Sequence, residues 1–237
     1  MRFLKIILLV AVAASSSCYE DYVYDHDTTT AGFSMQQPLR TVVHDTPIYL
    51  GVSISGKRDV DMSDWAKFTI DASLLNGTGL TLLPSSHYKL DDPEVMRVRK
   101  SNMPVADVKI SFTDAFYADP NSITTYYALP LRITDSSLDA IREGGETQVA
   151  AIKYISSYSG TYYALGSVST LDNLGTVIST EVYREQDLNK NLTRYLSTEG
   201  PMVVSRPGVG RIVNGGLLLT ISDAVDPEGN RNVTVET

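Results

Sequence analysis

The most reactive side chain in the sequence is Cys18, the single cysteine among 237 residues. It follows three serines at 15–17 and an uncharged apolar run at 6–14, with Arg2 and Lys5 near the start. A basic start, a short apolar segment and small residues are typical of a secretory signal peptide. A cysteine directly after them predicts cleavage before Cys18 and lipidation of its thiol, and two or three acyl chains would anchor the protein stably. The alternative is a plain signal peptide followed by a chance cysteine.

Aromatic side chains are the second group suited to binding, because tyrosine and tryptophan combine an apolar ring face with a polar tip. The chain has 14 tyrosines, five phenylalanines and one tryptophan. Trp65 alternates with Phe68 in the run WAKFTID, which predicts that it lies on the outer strand face. Tyr158, Tyr162 and Tyr163 lie near a predicted domain junction, where clefts often form. These four residues are candidate glycan-binding residues. The alternative places the tyrosines in an interface between two domains and Trp65 in the core or at its rim.

Catalytic and metal-binding patterns are not found in the sequence. His26, His44 and His87 are far apart and have no acid at metal-ligand spacing. The sequence has no nucleophile elbow and no phosphate-binding glycine loop. We therefore predict no catalytic residue, no metal site, no cofactor and no enzyme activity.

Acidic residues offer two further possibilities by type alone. The pairs that could serve glycoside hydrolysis are Asp91-Asp92, Glu143 with Glu146, and Asp223 with Asp226. Solvated turn residues are the simpler interpretation of all three pairs. The oxygens that could bind calcium belong to Asp223, Asp226, Glu228 and Asn230, although this segment more simply predicts a hairpin turn.

The charge of the chain restricts its partners. Lys and Arg number 20 against 28 Asp and Glu, and removal of residues 1–17 leaves 18 against 28. This acidic balance argues against nucleic acid and against electrostatic docking on anionic lipid. If Cys18 carries lipid, no cysteine remains for a disulfide, and the exported body depends on its hydrophobic core.

The hydrophobic pattern predicts an all-β protein. Apolar residues alternate at 48–55 and 105–112, and turn residues recur about every 8–12 positions, which is typical of a β-sandwich. Pro130 predicts an edge or a bulge for the strand at 126–134. One or two helical turns are expected at 136–143. The segment 187–197 fits a helix or a strand, and we choose a strand.

The predicted organisation has four parts. They are a signal peptide at 1–17, a flexible tether at 18–32, a first β domain at 33–156 and a second, smaller β domain at 157–237. Tyr19, Tyr22 and Tyr24 in the tether could add an edge strand. The second domain is small for a sandwich, which leaves open whether it is complete.

Four segments, in this order, resemble a known family. They are LLPSSHYKL at 82–90, the strand at 105–112, YYALPLRIT at 126–134 and KYISSYSGTYYALG at 153–166. Together they resemble the adhesin-like, two-domain surface lipoproteins of Bacteroidetes-type polysaccharide-utilisation loci. The resemblance implies an N-terminal immunoglobulin-like sandwich of unknown function followed by a second β domain. Glu20-Asp21 resembles the export signal that sends such lipoproteins to the outer face of the outer membrane.

The resemblance implies a surface-exposed, non-catalytic lipoprotein that binds glycans or acts like an adhesin. Its expected partners are the membrane through Cys18, a glycan and other surface lipoproteins. The sequence departs from the family at Ser159 and at Ala164-Leu165, where relatives usually carry histidine or a histidine-arginine pair. The alternatives are an assembly subunit without its own ligand site, and accessory domains of a glycosidase that lack the catalytic part.

Overall fold

The computed structural model describes residues 27–57, 60–100, 102–210 and 212–237. Within these ranges the chain consists almost entirely of β-strands, which confirms the all-β prediction. No helix in these ranges is long and apolar enough to cross a membrane. Cys18 and the three tether tyrosines lie outside the described residues.

Eleven strands form one large sheet. They are β1 (Thr30–Gly32), β2 (Leu39–Val42), β3 (Ile48–Ser55), β4 (Trp65–Ile70), β5 (Thr81–Leu82), β6 (Tyr88–Leu90), β7 (Val95–Val98), β8 (Val105–Phe112), β9 (Tyr127–Ser136), β10 (Ala140–Ile141) and β11 (Thr147–Tyr154). Their spatial order is β10-β1-β3-β8-β7-β4-β9-β11-β2, with β5 added to β9 and β6 to β8.

Alternating side chains build the core of this sheet. Leu50 and Val52 on β3 are fully buried, and so are Val108 and Ile110 on β8. Because buried residues from β3 and β8 belong to the same core cluster as those from β4, β9 and β11, the sheet curls over into two layers. Burial of each large apolar side chain contributes about 1.5–3 kcal/mol. The predicted bounds of β3 and β8 are confirmed.

The pairing follows an immunoglobulin-like pattern. Within the large sheet, the order β1-β3-β8-β7 corresponds to strands ABED of an immunoglobulin constant-type domain, and β4-β9-β11 corresponds to strands CFG. β7 pairs with both β8 and β4, so the two sets are continuous here. The first two strands lie at different places in the sheet. β1 pairs antiparallel with β3, whereas β2 pairs parallel with β11.

Pro130 was expected at an edge or a bulge, and the structure places it in an interior strand. β9 pairs with β4 on one side and with β11 on the other. The last residue of β4 is Ile70, which pairs with Leu131, and the Asp71 N–H donates to the Pro130 carbonyl at 3.0 Å. The proline nitrogen therefore faces the gap beyond the end of β4, where no ladder bond is lost.

The prediction of helical turns at 136–143 is wrong. β10 lies there instead, and Ala140 and Ile141 pair in parallel with β1. The Asp139 carboxylate accepts hydrogen bonds from the backbone N–H and the hydroxyl of Thr29. This partner is 110 residues away, and a local pattern cannot reveal it. The short helix α1 (Asp114–Ala118), which was not predicted, buries Phe116 completely.

The remaining strands form two smaller sheets. They are β12 (Gly160–Ala164), β13 (Gly166–Leu171), β14 (Val177–Tyr183), β15 (Leu192–Gly200), β16 (Val203–Val209), β17 (Ile212–Val225) and β18 (Arg231–Glu236). The order in the five-stranded sheet is β12-β15-β16-β17-β18, and β13 pairs with β14 as a hairpin. The strand chosen for 187–197 is confirmed as β15, after a single 3-10 turn at Leu188–Lys190.

Buried Ser156 joins the large sheet to the five-stranded sheet. It follows β11 by two residues, and its backbone N–H donates to the Thr198 hydroxyl at 3.0 Å. Its own hydroxyl donates to the Pro201 carbonyl at 3.0 Å. Both partners lie on or next to β15, so the end of the large sheet is attached to the start of the β15–β16 turn.

Candidate functional site

A groove of about 300 Å³ opens on the outer face of β3 and β8, at the end of β7. We name it the Tyr49 groove, and its lining residues are Tyr49, Arg99, Lys100, Met103, Val105 and Asp107. Tyr49 is 46% exposed, which makes its ring an accessible apolar surface bordered by charged groups. Sequence reasoning did not single out Tyr49.

Strand alternation explains why Tyr49 points outward. Its neighbour Leu50 is fully buried, so Tyr49 and Gly51 face the opposite side of β3. Gly51 pairs with Asp107 on β8, and a Cβ atom at Gly51 would lie 2.5 Å from the Ala106 carbonyl oxygen. The two strands can approach each other this closely because Gly51 has no side chain.

Arg99 is the electrostatic centre of the groove. Its guanidinium carbon lies 5.3 Å from the centre of the Tyr49 ring, within the range of a cation–π contact. It also donates to the carboxylates of Asp91, at 2.6 Å, and Asp107. These two hydrogen bonds, with Asp107 first, raise the pKa of Arg99 and hold the guanidinium in place.

Asp91 completes this network from the neighbouring turn. Burial alone would raise the pKa of Asp91. Hydrogen bonds from the Arg99 side chain and from the Lys109 backbone N–H lower it overall. The groove therefore presents fixed planar donors and acceptors beside an aromatic ring.

Trp65 lies on the same outer surface. It pairs across strands with Arg97, Arg97 pairs with Asp107, and Asp107 pairs with Gly51, so one row runs from Trp65 to the groove. Trp65 is partly exposed, and Lys67 Nζ lies 5.1 Å from its ring centre. Three strand spacings separate β4 from β3 in this order, about 14 Å along the sheet.

The tyrosines near the junction do not form one platform. Tyr162 and Tyr163 are adjacent on β12 and so face opposite sides of the sheet. They are 43% and 46% exposed. The Tyr162 hydroxyl donates to the Tyr158 carbonyl at 2.9 Å, and the Tyr163 hydroxyl donates to Asn189 Oδ1 at 3.0 Å. Tyr158 and Tyr162 thus lie together, apart from Tyr163.

One polar cluster was missed by the sequence analysis. His87 Nε2 lies 3.1 Å from Asp119 Oδ2, and Ser86 Oγ lies 3.2 Å from His87 Nδ1. The Tyr127 hydroxyl also donates to Asp119 Oδ2, at 2.5 Å. Only the folded chain brings these residues together, since 32 positions separate His87 from Asp119.

The order of serine, histidine and aspartate resembles a catalytic triad, but the contacts favour a structural role. A second Asp119 oxygen accepts from the Asn121 backbone N–H at 2.8 Å. His87 packs edge-on against the rings of Phe116 and Tyr127. The cluster therefore ties the 3-10 turn at Ser85–His87 to β9, and its residues do not line the Tyr49 groove.

The segment that could offer oxygens to calcium forms the hairpin turn that was its simpler prediction, and Asp226 holds this turn. The Asp226 carboxylate accepts from the backbone N–H and the side-chain amide of Asn230, and the Gly229 N–H donates to the Asp226 carbonyl. This confirms the hairpin between β17 and β18. Among the described residues, no group of three or more His, Cys, Asp or Glu side chains is arranged to hold a metal ion.

A solved structure shares this fold, and two others show weaker similarity. A Bacteroides ovatus protein of unknown function is 20% identical over 90% of this chain and 73% of its own, with a TM-score of 0.61. A second Bacteroides ovatus protein of unknown function is 13% identical, covering 88% and 72%, with a TM-score of 0.46. Bacteroides thetaiotamicron EndoBT-3987, solved with a Man5GlcNAc product, is 18% identical over 55% of this chain and 32% of its own, with a TM-score of 0.38.

No curated protein matches the sequence. Residues 19–139 match a family model described as a "-like, N-terminal domain". The matched segment is just over half of the chain, and the chain therefore belongs to this family of N-terminal domains.

Proposed function

We propose that this protein is a lipid-anchored, non-catalytic glycan-binding protein of a polysaccharide-utilisation system, facing the cell exterior at the outer membrane. The Tyr49 groove is the observation that carries the proposal. Trp65, on the same outer surface, is a second contact in the proposal. Cys18 would hold the body at the membrane and raise the local concentration of ligand.

The chemistry of the groove matches a sugar. The exposed Tyr49 ring offers a flat apolar surface for the C–H face of a pyranose. The Arg99 guanidinium is a planar hydrogen-bond donor, and the Asp107 carboxylate beside it is an acceptor. A donor next to an acceptor suits neighbouring hydroxyl groups of a sugar. Because Arg99 is already held by Asp91, the groove needs little reorganisation when a ligand arrives.

A glycan array tests the proposal. The probe is the chain from residue 18 onward, with Cys18→Ser to keep it free of lipid. We expect the array to show retention of one glycan class, and Tyr49→Ala to weaken that binding by about threefold to tenfold. Tyr49→Phe keeps the ring and should bind like the parent protein. Tyr195→Ala removes another exposed tyrosine, on β15 and 57% exposed, and serves as the matched control.

Two results would contradict the proposal. The first is full binding by Tyr49→Ala and Trp65→Ala proteins that retain the parent melting temperature. The second is release of reducing sugar from any bound glycan, which would show catalysis.

A second candidate function is assembly with other surface proteins. The hairpin of β13 and β14 exposes five large apolar side chains, and within the described residues each strand pairs only with the other. These side chains are Leu171, Leu174, Val177, Ile178 and Val182. Co-purification from membranes tests this function: Ile178→Asp should lose a partner that the parent protein retains, and equal recovery would reject it.

A further inference from the structure

A second concave site lies between the β13–β14 hairpin and the five-stranded sheet. This cavity of about 140 Å³ is lined by Arg194 and Arg206, together with Ser167, Val168 and Tyr183. It is separate from the Tyr49 groove, which lies on the large sheet. We name it the arginine cavity.

Strand register places the two arginines on one face of the sheet. Val204 on β16 pairs with Thr198 on β15, so Arg206, two residues after Val204, lies on the same face as Arg194. A register shift between Pro207 and Val209 lets the Gly208 carbonyl accept from Arg206 Nε at 3.0 Å. This contact holds the guanidinium against the sheet.

A second nitrogen of the Arg206 guanidinium, Nη2, has no partner among the described residues. This atom is shielded from solvent. A buried charged donor without a partner is costly, and native proteins rarely leave one without a reason. Burial, with a smaller effect from the neighbouring Arg194 charge, lowers the pKa of Arg206.

Within the described ranges, no acidic side chain is paired with either arginine. The lining of the cavity contains no carboxylate. Among the described residues, no ion pair involves Arg194 or Arg206, and Arg194 donates to the Thr193 carbonyl at 2.7 Å. The Tyr183 hydroxyl, at the edge of the cavity, donates to Glu181. A chain with a net charge of −8 thus keeps two cationic groups facing one small space.

We propose that the arginine cavity binds an oxyanion group, the carboxylate of a uronic acid or a sulfate ester, carried by an acidic glycan. A planar guanidinium with a free Nη donor is suited to carboxylate and sulfate oxygens. Tyr162 pairs directly with Arg194 and faces the same side, so its ring would lie next to an attached sugar. The inference does not depend on the Tyr49 groove and stands if that groove binds nothing.

Calorimetric titration of the purified protein tests the inference, with glucuronate, sodium sulfate and glucose as probes and sodium chloride at matched ionic strength as the salt control. We expect glucuronate or sulfate to bind and to raise the melting temperature beyond the effect of chloride, while glucose does neither. Binding of glucuronate alone would identify the carboxylate as the source of the oxyanion, and binding of sulfate alone would identify a sulfate ester.

Two variants and one matched control locate the site. Arg206→Gln and Arg194→Gln should each weaken oxyanion binding by about tenfold or more, because each removes a hydrogen bond to a charged group. Arg231→Gln, which removes an arginine from β18 that bonds the Ser222 and Asp223 carbonyls, should bind like the parent protein.

The two arginine variants also exclude a purely structural explanation. Arg194→Gln retains the Arg206 contact with Gly208, so loss of binding by this folded variant cannot come from a collapsed turn. The inference is overturned if neither oxyanion binds the parent protein, or if folded Arg194→Gln and Arg206→Gln proteins bind as the parent does. Tyr49→Ala should leave oxyanion binding unchanged, which separates this site from the proposed glycan groove.

Discussion

The Tyr127 hydroxyl lies 2.5 Å from the Asp119 carboxylate and donates a hydrogen bond to it. This bond, together with hydrogen bonds from the Asn121 backbone N–H and from His87, lowers the pKa of Asp119 from 3.8 to about 2. Because the pKa is lower in the folded state, the ionised carboxylate stabilises the fold above about pH 4, and this contribution is lost as the pH falls towards 2.

Asp119→Asn therefore should reduce the free energy of unfolding most at neutral pH. The difference from the parent protein should shrink between about pH 4 and pH 2, since both proteins are then without the charge. Urea unfolding at pH 7, 4 and 2.5 measures this. Asp135→Asn removes an exposed carboxylate next to Lys67 and serves as the control. A difference that stays constant over this pH range would contradict the prediction.

Tyr154→Phe should stabilise the protein. The Tyr154 ring is fully buried among Phe116 and Tyr117, and within the described residues its hydroxyl has no hydrogen-bond partner. Removing a buried, unpaired hydroxyl is expected to increase the free energy of unfolding by about 1 kcal/mol. Tyr127→Phe deletes a hydroxyl that is bonded, and it should destabilise by a similar amount. Chemical denaturation of both variants measures the two changes in the free energy of unfolding. Changes of the same sign would count against this explanation.

Gly51→Ala should destabilise the large sheet. The added Cβ atom would lie 2.5 Å from the Ala106 carbonyl oxygen and 2.7 Å from Asp107 Cβ, so β3 and β8 would have to separate. We expect a loss of about 1–3 kcal/mol. Gly200→Ala is the matched control, because its nearest neighbour would lie at 3.7 Å. Thermal unfolding measures both, and a Gly51→Ala protein as stable as the control would show that the strands can separate freely.

Cys18→Ala should abolish lipid attachment. Metabolic labelling with palmitate is expected to mark the parent protein and not the variant, because the thiol is the proposed site of acylation. The variant should also leave the membrane fraction. Equal labelling of the two proteins would reject the lipid anchor, whereas the Tyr49 groove and the arginine cavity would be unaffected.

The strands were the most predictable part of the molecule. β3 and β8 alternate without interruption and are buried on one face, so the sequence alone predicts their bounds correctly. The prediction for 136–143 was wrong because β10 depends on pairing with β1, which lies more than 100 residues earlier in the chain. Pro130 did not mark an edge strand, because the interior strand β9 can hold a proline at the point where β4 has already ended.

Candidate site residues were harder to predict for a related reason. Trp65 was correctly placed on an outer face by alternation, but alternation gives no information about which outer residues meet across strands. Tyr49 and Arg99 come together only through the register of β3, β8 and β7. Arg194 and Arg206 likewise share a cavity because of the pairing of β15 with β16. Register is a long-range property, and a single sequence does not display it.

The different partners of β1 and β2 also determine how the body would resist mechanical force. A pull on the residues before Thr30 loads β1 first, through its short pairings with β3 and β10. Once β1 has detached, the load passes to β2, whose parallel ladder with β11 shears with its hydrogen bonds loaded together. Tension from an anchored N-terminus would thus release a short length of chain early, while the core of the large sheet stays closed.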